Sequence, residues 1–162
     1  MNKVKPIPDG CDGLIPVLTV RGGANAMEWY KKLFGATERM RMPVPGDPQK
    51  IAHGELVVYG RVLMLNEENP QWRTQSPQSI QGPPPTTVMI YVPDVDALFA
   101  RAQSLGAKPL MPPTDMFWGD RFGKFLDPFG HQWAIATHTR DLTPEEIEKG
   151  AAEAFKNECR PE

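Results

Sequence analysis

An internal duplication constrains the fold of this 162-residue chain more than any other feature of its sequence. One copy reads LIPVLTV, which has the apolar character of a strand, followed by NAMEWYKKLFGA, whose apolar residues recur at helical spacing until Gly35. The second copy reads TTVMIYV followed by DVDALFARAQSLGA. Val20 then corresponds to Val92 and Gly35 to Gly106, at offsets of 72 and 71 residues. The sequence therefore predicts two copies of one βα unit.

Each copy continues with a proline-bearing connection and strand pairs. These read HGELVVYGRVLML and GKFLDPFGHQWAI, with Gly60 and Gly130 at the hairpin turns, at an offset of 70 residues. Each half is thus predicted to be βαβββ, and the fold class to be α+β. The predicted helix stripes are Met27, Tyr30, Leu33 and Phe34 in the first copy and Val95, Leu98, Phe99 and Ala102 in the second. Two copies are too few for a solenoid, so we expect their sheets to join around a shared concavity.

Alternation along the strands assigns their residues to two faces. The face predicted to lie under the helices is wholly apolar and comprises Leu14, Pro16, Leu18, Val20, Leu63, Leu65, Val88, Ile90, Val92, Trp133 and Ile135. The opposite face mixes apolar and hydrogen-bonding residues, namely Ile15, Val17, Thr19, Val62, Met64, Asn66, Thr87, Met89, Tyr91, Gln132, Ala134, Ala136 and His138, joined by His53 and Glu55. Such a mixture suits a cup for a small molecule. The alternative is an amphipathic face covered by a partner subunit.

Charge and cysteine content exclude several classes of partner. The net charge is −2 and the basic residues are scattered, which disfavours binding to nucleic acid or to an anionic membrane. The chain has no apolar run long enough for a membrane span and no apolar signal segment at its start. Cys11 and Cys159 form no metal-binding cluster and fit a reducing compartment. We therefore expect a soluble cytoplasmic protein.

Two segments carry a resemblance to a known superfamily. They read IAHGELVVYGRVLMLNEE and MFWGDRFGKFLDPFGHQWAIATH. They resemble the vicinal oxygen chelate superfamily, which includes glyoxalase I, extradiol dioxygenases and the bleomycin and fosfomycin resistance proteins, and are most similar to its PhnB-like branch. The resemblance implies paired βαβββ modules that form an eight-stranded half-barrel, commonly in a homodimer. We expect a single domain over residues 1–140, with modules at about 12–69 and 84–138, and an appended C-terminal helix within 141–162.

The resemblance also identifies the positions of a metal site. In metal-dependent members, four side chains from the first and last strands of both modules hold a divalent ion. These positions fall on Ile15, Met64, Thr87 and Ala134. Hard divalent cations need imidazole nitrogens or carboxylate oxygens, and a methionine thioether suits copper(I) instead. We therefore predict no metal and no cofactor at these positions.

The leading hypothesis is a metal-independent protein of the glyoxalase/bleomycin resistance type that binds, and so sequesters, an aromatic or toxic small molecule. The predicted ligand-binding residues are Met64, Thr87, Met89, Tyr91, Phe117, Trp118, Arg121 and Gln132. Within FWGDRFG, Phe117 and Trp118 are predicted to form a stacking wall for a flat ligand, with Asp120 or Arg121 as a polar contact. A buried hairpin rim or a dimer contact is the alternative for this loop.

Two other hypotheses stay open. In the first hypothesis, the protein is an enzyme. It is either a metal-dependent lyase, isomerase or dioxygenase that uses His53, Glu55 and His138, or a metal-free acid–base catalyst that pairs His53 with Glu55. In the second it is a structural dimer whose cup is filled by its own methionines and aromatics. His131 is predicted to be a hairpin residue rather than a base. The sequence contains no nucleophile elbow, no GxGxxG turn and no phosphate-binding P-loop.

The C-terminal segment LTPEEIEKGAAEAFKNE has the signature of a helix start. Thr143 is predicted to be the N-cap, Pro144 the first helical residue and Glu146 the reciprocal residue of a capping box. An apolar stripe of Ile147, Ala151 and Phe155 is expected to dock on the body of the protein or on a second subunit.

Overall fold

The computed structural model describes residues 4–158, so Cys159 lies outside the described residues. The strands and helices over this range are, in chain order, β1 (Val17–Val20), α1 (Gly23–Phe34), β2 (Thr37–Val44), β3 (Asp47–Val58), β4 (Arg61–Glu67), β5 (Thr87–Tyr91), α2 (Val95–Ser104), β6 (Lys108–Asp115), β7 (Asp120–Leu126), β8 (Gln132–His138) and α3 (Pro144–Glu158). Two 3₁₀ turns, Pro70–Trp72 and Pro77–Ser79, lie between β4 and β5. Within residues 4–158 no helix has the length and apolar character needed to span a bilayer.

The chain divides into two compact units, each with a four-stranded sheet. The first unit comprises the chain up to Thr86 together with Pro128–His131, and the second comprises Thr87–Asp127 together with the chain from Gln132 onward. The strand orders are β1-β4-β3-β2 and β5-β8-β7-β6. In both sheets the first strand pairs in parallel with the last, and the other neighbours are antiparallel. The predicted α+β fold of two βαβββ modules, with an additional C-terminal helix, is confirmed.

The duplication extends to the register of the strands. Val17 pairs with Met64 in the first sheet, and Met89 pairs with Ala134 in the second. These partners are related by offsets of 72 and 70 residues, the same offsets that relate the two copies in the sequence. Equivalent positions of the two modules therefore occupy equivalent places in their sheets.

Helices α1 and α2 each pack their predicted apolar stripe on the sheet of their own unit. Met27, Tyr30 and Leu33 of α1 are fully buried, and the four stripe residues of α2 are buried as well. The approach of α1 to β3 is so close that a Cβ at Gly23 would lie 2.7 Å from the Cβ of Ile51. A side chain larger than hydrogen therefore does not fit at the start of this helix.

Most of the predicted helix-facing set is buried, namely Leu18, Val20, Leu63, Leu65, Val92, Trp133 and Ile135. Val88 and Ile90 of β5 are only partly buried, and Pro16, which precedes β1, is exposed. The prediction was wrong for Leu14, which is fully exposed. The reason is that β1 begins only at Val17, so Leu14 precedes the sheet and has no helix above it.

The C-terminal helix α3 begins as predicted, at Pro144. The backbone N–H of Thr143 donates to Glu146 Oε2 at 2.8 Å, and the N–H of Glu146 donates to Thr143 Oγ1 at 3.3 Å. These reciprocal bonds form a capping box, which satisfies donors that have no partner within the helix.

Candidate functional site

A buried carboxylate links three ring side chains on the second sheet, on the face opposite α2. Asp120, the first residue of β7, is only 3% exposed. Its Oδ2 accepts hydrogen bonds from the Tyr91 hydroxyl at 2.7 Å and from Trp118 Nε1 at 3.0 Å. Its Oδ1 lies 2.8 Å from His138 Nδ1, and His138 Nε2 lies 3.0 Å from Asp141 Oδ1. We call Tyr91, Trp118, Asp120 and His138 the Asp120 cluster.

Strand register and one tight turn bring this cluster together. Asp120 and His138 are direct partners across β7 and β8, and Tyr91 ends the neighbouring strand β5. Gly119 has φ +96°, and a Cβ there would lie 2.3 Å from the carbonyl oxygen of Arg140. The Gly119 carbonyl accepts the N–H groups of Thr139 and Arg140, both at 2.9 Å. The turn is thereby fixed against the end of β8, where Trp118 reaches Asp120.

The contacts within the cluster favour the charged forms of Asp120 and His138 and the neutral form of Tyr91. Burial acts to raise the pKa of Asp120, but hydrogen bonds from His138, Tyr91 and Trp118 outweigh burial and hold that pKa below its usual value. The hydrogen bond to Asp120, supported by Asp141, raises the pKa of His138. The hydrogen bond to Asp120 also raises the pKa of Tyr91, because losing the phenolic proton would place two anions in contact.

An apolar patch lies beside the cluster on the same face. Phe122, Ala134 and Ala136 are buried there, and Met111, Met116 and Trp118 pack against them. Two residues of β5 are half-exposed on this face, Met89 at 49% and Tyr91 at 55%. At the other end of β5, Gln132 Nε2 donates to Thr87 Oγ1 at 2.9 Å. The face therefore offers apolar contact area, aromatic rings and hydrogen-bonding groups.

The FWGDRFG loop divides between two roles. Trp118 belongs to the Asp120 cluster and packs edge-on against Phe122, with ring centroids 5.7 Å apart. Phe117 instead contacts α3. Its ring centroid lies 6.3 Å from that of Phe155, and a Cβ placed at Gly150 would lie 2.9 Å from the Cβ of Phe117. This contact with α3 agrees with the rim alternative for Phe117, and its role in a ligand wall stays a prediction.

Arg121 does not join the cluster. Neighbouring residues on a strand point to opposite faces, so Arg121 faces α2. Its guanidinium forms ion pairs with Asp96, at 2.6 and 2.8 Å, and with Asp115 at 3.2 Å. These contacts leave the charge of Arg121 compensated on the helix side of the sheet.

The first sheet holds the other predicted polar pair. His53 Nε2 lies 2.9 Å from Glu55 Oε1, and Glu55 Oε2 lies 3.2 Å from Arg39 Nε. Glu55 is the register partner of Met64, so the pair lies on the face that the alternation predicts. His131 lies in the hairpin before β8, where its Nε2 is 3.0 Å from the Thr19 carbonyl oxygen.

Sequence reasoning missed Asp120 as the shared acceptor of three ring side chains. A usable signal existed, because Tyr91, Asp120 and His138 all lie at strand ends with the same face parity. Using that signal requires the order and register of β5, β8 and β7, which the sequence pattern alone did not provide.

Comparison with known proteins identifies the class to which this fold belongs. The family profile described as Glyoxalase/Bleomycin resistance protein/Dioxygenase superfamily matches residues 15–135. The chain therefore belongs to this superfamily. A relative, the protein Mb0911c of Mycobacterium bovis, is 39% identical over 138 residues, which cover 83% of this chain and 89% of that protein.

Two solved structures illustrate the structural likeness. TioX from Micromonospora sp. ML1 matches with a TM-score of 0.62 and 26% identity, over 78% of this chain and 98% of TioX. The PhnB protein from Bacillus cereus matches with a TM-score of 0.61 and 18% identity, over 78% of this chain and 99% of that protein. The latter likeness shows the shared fold and agrees with the predicted PhnB-like resemblance.

The residues at the superfamily's metal positions do not fit a hard divalent cation. Ile15 and Ala134 have no donor atom, and Ala134 is buried beneath its apolar neighbours. Met64 offers a soft thioether, and the Thr87 hydroxyl accepts from Gln132. Among residues 4–158, no group of three or more His, Cys, Asp or Glu side chains is arranged to hold a metal ion.

Proposed function

We propose that this protein binds a small, partly aromatic molecule on the face of the second sheet that contains the Asp120 cluster, and that binding needs no metal ion. The protein would thus sequester its ligand, as a binding protein of the glyoxalase/bleomycin resistance type. The observation that carries the proposal is the shared acceptor: one buried carboxylate fixes Tyr91, Trp118 and His138 in place.

The fixed rings favour binding because they lose little conformational entropy when a ligand covers them. A ligand that orders flexible side chains forfeits about 0.5–1.5 kcal/mol for each one. Tyr91 is half-exposed yet anchored through its hydroxyl, so its ring offers a surface whose orientation is already set. Apolar contact with Met89 and Tyr91 would contribute about 25 cal/mol per Å² removed from water.

Polar groups at the two ends of β5 would orient the ligand. Thr87 and Gln132 lie at one end, and the Asp120 cluster lies at the other. Phe117 and Arg121 are left out of this proposal because α3 and Asp96 occupy them. Met64 of the first sheet stays a separate prediction as a ligand contact, since it lies on the face that also holds His53 and Glu55.

The proposal includes a cytoplasmic homodimer. The dimer is supported by its frequency in the superfamily to which the chain belongs. The cytoplasmic location is supported by Cys11, a partly buried free thiol of the kind that persists in reducing compartments.

A thermal-shift screen against planar aromatic antibiotics and metabolites tests the proposal. A ligand present at about 100 times its Kd adds about 2.7 kcal/mol to the free energy of unfolding, or roughly 5–10 °C in Tm for a chain of this size. We expect at least one compound to produce such a shift without added metal. A screen in which no compound raises Tm would contradict the proposal and favour the structural dimer with a filled cup.

Paired tyrosine variants locate the site. Tyr91→Ala should weaken binding of the identified compound about tenfold or more, because it removes an anchored ring. Tyr59→Ala is the matched control, since Tyr59 is 53% exposed but lies at the hairpin turn of the first unit. Equal affinities in the two variants would place the ligand elsewhere.

The contact between His53 and Glu55 favours a second candidate function, an acid–base enzyme. A carboxylate beside an imidazole can orient the ring for proton transfer. Under our proposal, protein purified without chelator contains far less than one equivalent of divalent metal, as measured by elemental analysis. A stoichiometric metal content, or a turnover that His53→Ala abolishes while the fold persists, would establish the enzyme instead.

A further inference from the structure

A cavity of about 400 Å³ lies within the first unit, where the ends of β2 and β4 and the first half of β3 meet the turn Pro70–Trp72. This volume is within the range of roughly 300–1,000 Å³ that small-molecule sites occupy. Val44, Pro45 and Trp72 supply apolar walls, and Lys50, Glu67 and Glu68 supply polar ones. None of these residues belongs to the site proposed above.

The indole of Trp72 is 70% exposed although it lines this cavity. The turn that holds it is well braced. Asn69 Oδ1 accepts the N–H of Gln71 at 2.9 Å, and the Asn69 carbonyl accepts the N–H of Trp72 at 3.0 Å. The N–H of Asn69 is bonded in turn to Thr74, at 3.0 Å to the carbonyl oxygen. A large aromatic surface is therefore presented on a fixed backbone, where a flat ligand could cover it.

Two of the three charged side chains of the cavity already have an ionic partner. Glu68 forms an ion pair with Arg21 and accepts hydrogen bonds from Ser76 and Ser79. Burial acts to raise the pKa of Glu68, but these bonds outweigh it and hold the pKa at about 2. The Lys50 amine lies 3.5 Å from the Asp47 carboxylate.

Glu67 differs from these two residues. Its carboxylate oxygens accept the backbone N–H groups of Gly22 and Gly23 at the start of α1, each at 2.8 Å. No cationic side chain among residues 4–158 forms an ion pair with it. Each oxygen keeps a further acceptor site, so this carboxylate is fixed in position and can still bind a donor.

We propose that this cavity is a second binding site, specific for an aromatic molecule that bears a protonated amine. The ring would lie against Trp72 and the ammonium group would face Glu67. A cation next to an indole and a carboxylate gains from both partners, since the ring face carries negative charge density. A ligand with a carboxylate instead of the amine would meet Glu67 as a like charge.

Four probes test the proposal by isothermal titration calorimetry on the full chain. Tryptamine combines ring and ammonium, indole-3-acetate has the same ring with a negative charge, indole has no charge, and n-hexylamine has no ring. We expect saturable binding of tryptamine, and binding of the other three weaker by about tenfold or more. Tyr91→Ala should leave tryptamine affinity unchanged, which separates this site from the proposed function.

Variants then assign the contacts. Trp72→Ala should weaken tryptamine binding by about tenfold or more, whereas the exposed-tyrosine control Tyr59→Ala should not. Glu67→Gln should remove the preference for tryptamine over indole. A thermal melt of this variant checks that the protein, including α1, remains folded. Lys50→Glu replaces a positive charge at the cavity with a negative one and should increase tryptamine affinity.

The proposal is overturned if no probe binds saturably, if indole-3-acetate binds as tightly as tryptamine, or if Trp72→Ala leaves affinity unchanged. Size-exclusion chromatography supplies one more decisive outcome. If Trp72→Ala converts a dimer to a monomer and no probe binds, the indole is a subunit contact rather than a ligand surface.

Discussion

At the scale of single residues, Asp120 is a buried carboxylate whose three side-chain contacts depend on its charge. The Tyr91 hydroxyl and the Trp118 N–H donate to Oδ2 of Asp120, and the His138 ring bonds to Oδ1. An ionised carboxylate can only accept hydrogen bonds, so it suits a site where every neighbour is a donor. Asparagine has nearly the same shape, but its amide nitrogen would face one of these donors.

Asp120→Asn should therefore lower stability while the overall fold is retained. Losing a hydrogen-bonded charge and opposing a donor with a donor costs roughly 2 kcal/mol, or about 4–8 °C in Tm for a chain of this size. Differential scanning calorimetry measures the loss. The compound identified in the ligand screen should also bind this variant more weakly, because the rings of Tyr91 and Trp118 are no longer anchored to a carboxylate.

The Tm difference between wild type and Asp120→Asn should also depend on pH. Asp120 has a lowered pKa, so its stabilisation is present above its usual value of 3.8 and is lost as the pH falls through the folded-state pKa. His138 has a raised pKa, so its stabilisation is present below its usual value of 6.5 and is lost as the pH rises through the folded-state pKa. The Tm difference is thus widest between pH 3.8 and pH 6.5, the usual pKa values of the two groups, and it narrows at higher pH. His138→Gln should abolish the narrowing, and a difference that is constant with pH would contradict this assignment.

At the scale of elements, α3 and the FWGDRFG turn support each other. Phe117 contacts Gly150 and Phe155 of α3, and Gly119 fixes the turn against the end of β8. The helix therefore stabilises the loop from which Trp118 reaches Asp120. In this way α3, which lies outside the duplicated modules, contributes to the geometry of the Asp120 cluster in the second module.

The capping box of α3 gives a test at this scale. Thr143→Ala removes the acceptor for the Glu146 N–H and should destabilise the start of α3 by about 1 kcal/mol. Hydrogen exchange should then be faster across 144–158, by about fivefold, with little change in the two sheets. Thr114→Ala is the control, since that exposed hydroxyl bonds only locally, to the Pro112 carbonyl. Equal exchange in α3 for both variants would show that the box contributes nothing.

At the scale of the whole molecule, one module architecture carries two different sets of polar side chains. The strands of the two sheets share order and register. The residues on them differ, since the register partner of Met64 is Glu55 and the register partner of Ala134 is Lys124. The first sheet holds the His53–Glu55 pair, and the second holds the Asp120 cluster. Duplication therefore preserved the backbone pattern while the side chains that decide chemistry changed.

The sequence by itself determined the duplicated βαβββ order, the buried stripes of α1 and α2 and the capped start of α3. These features depend on spacing within a few residues, because helices repeat near every fourth residue, strands alternate and caps use fixed positions. The same local pattern was misleading at Leu14, where an apolar residue lies just outside the strand pair.

Only the tertiary structure decided which polar groups meet. Tyr91 reaches Asp120 across 29 positions in the chain and His138 reaches it across 18, and Arg121 faces Asp96 rather than the cluster. The cavity at Trp72 likewise requires strand ends and a turn from separate segments. Local periodicity fixes what an element is and which face it buries, but contacts between distant segments follow from strand order and register, which are set by packing of the whole sheet.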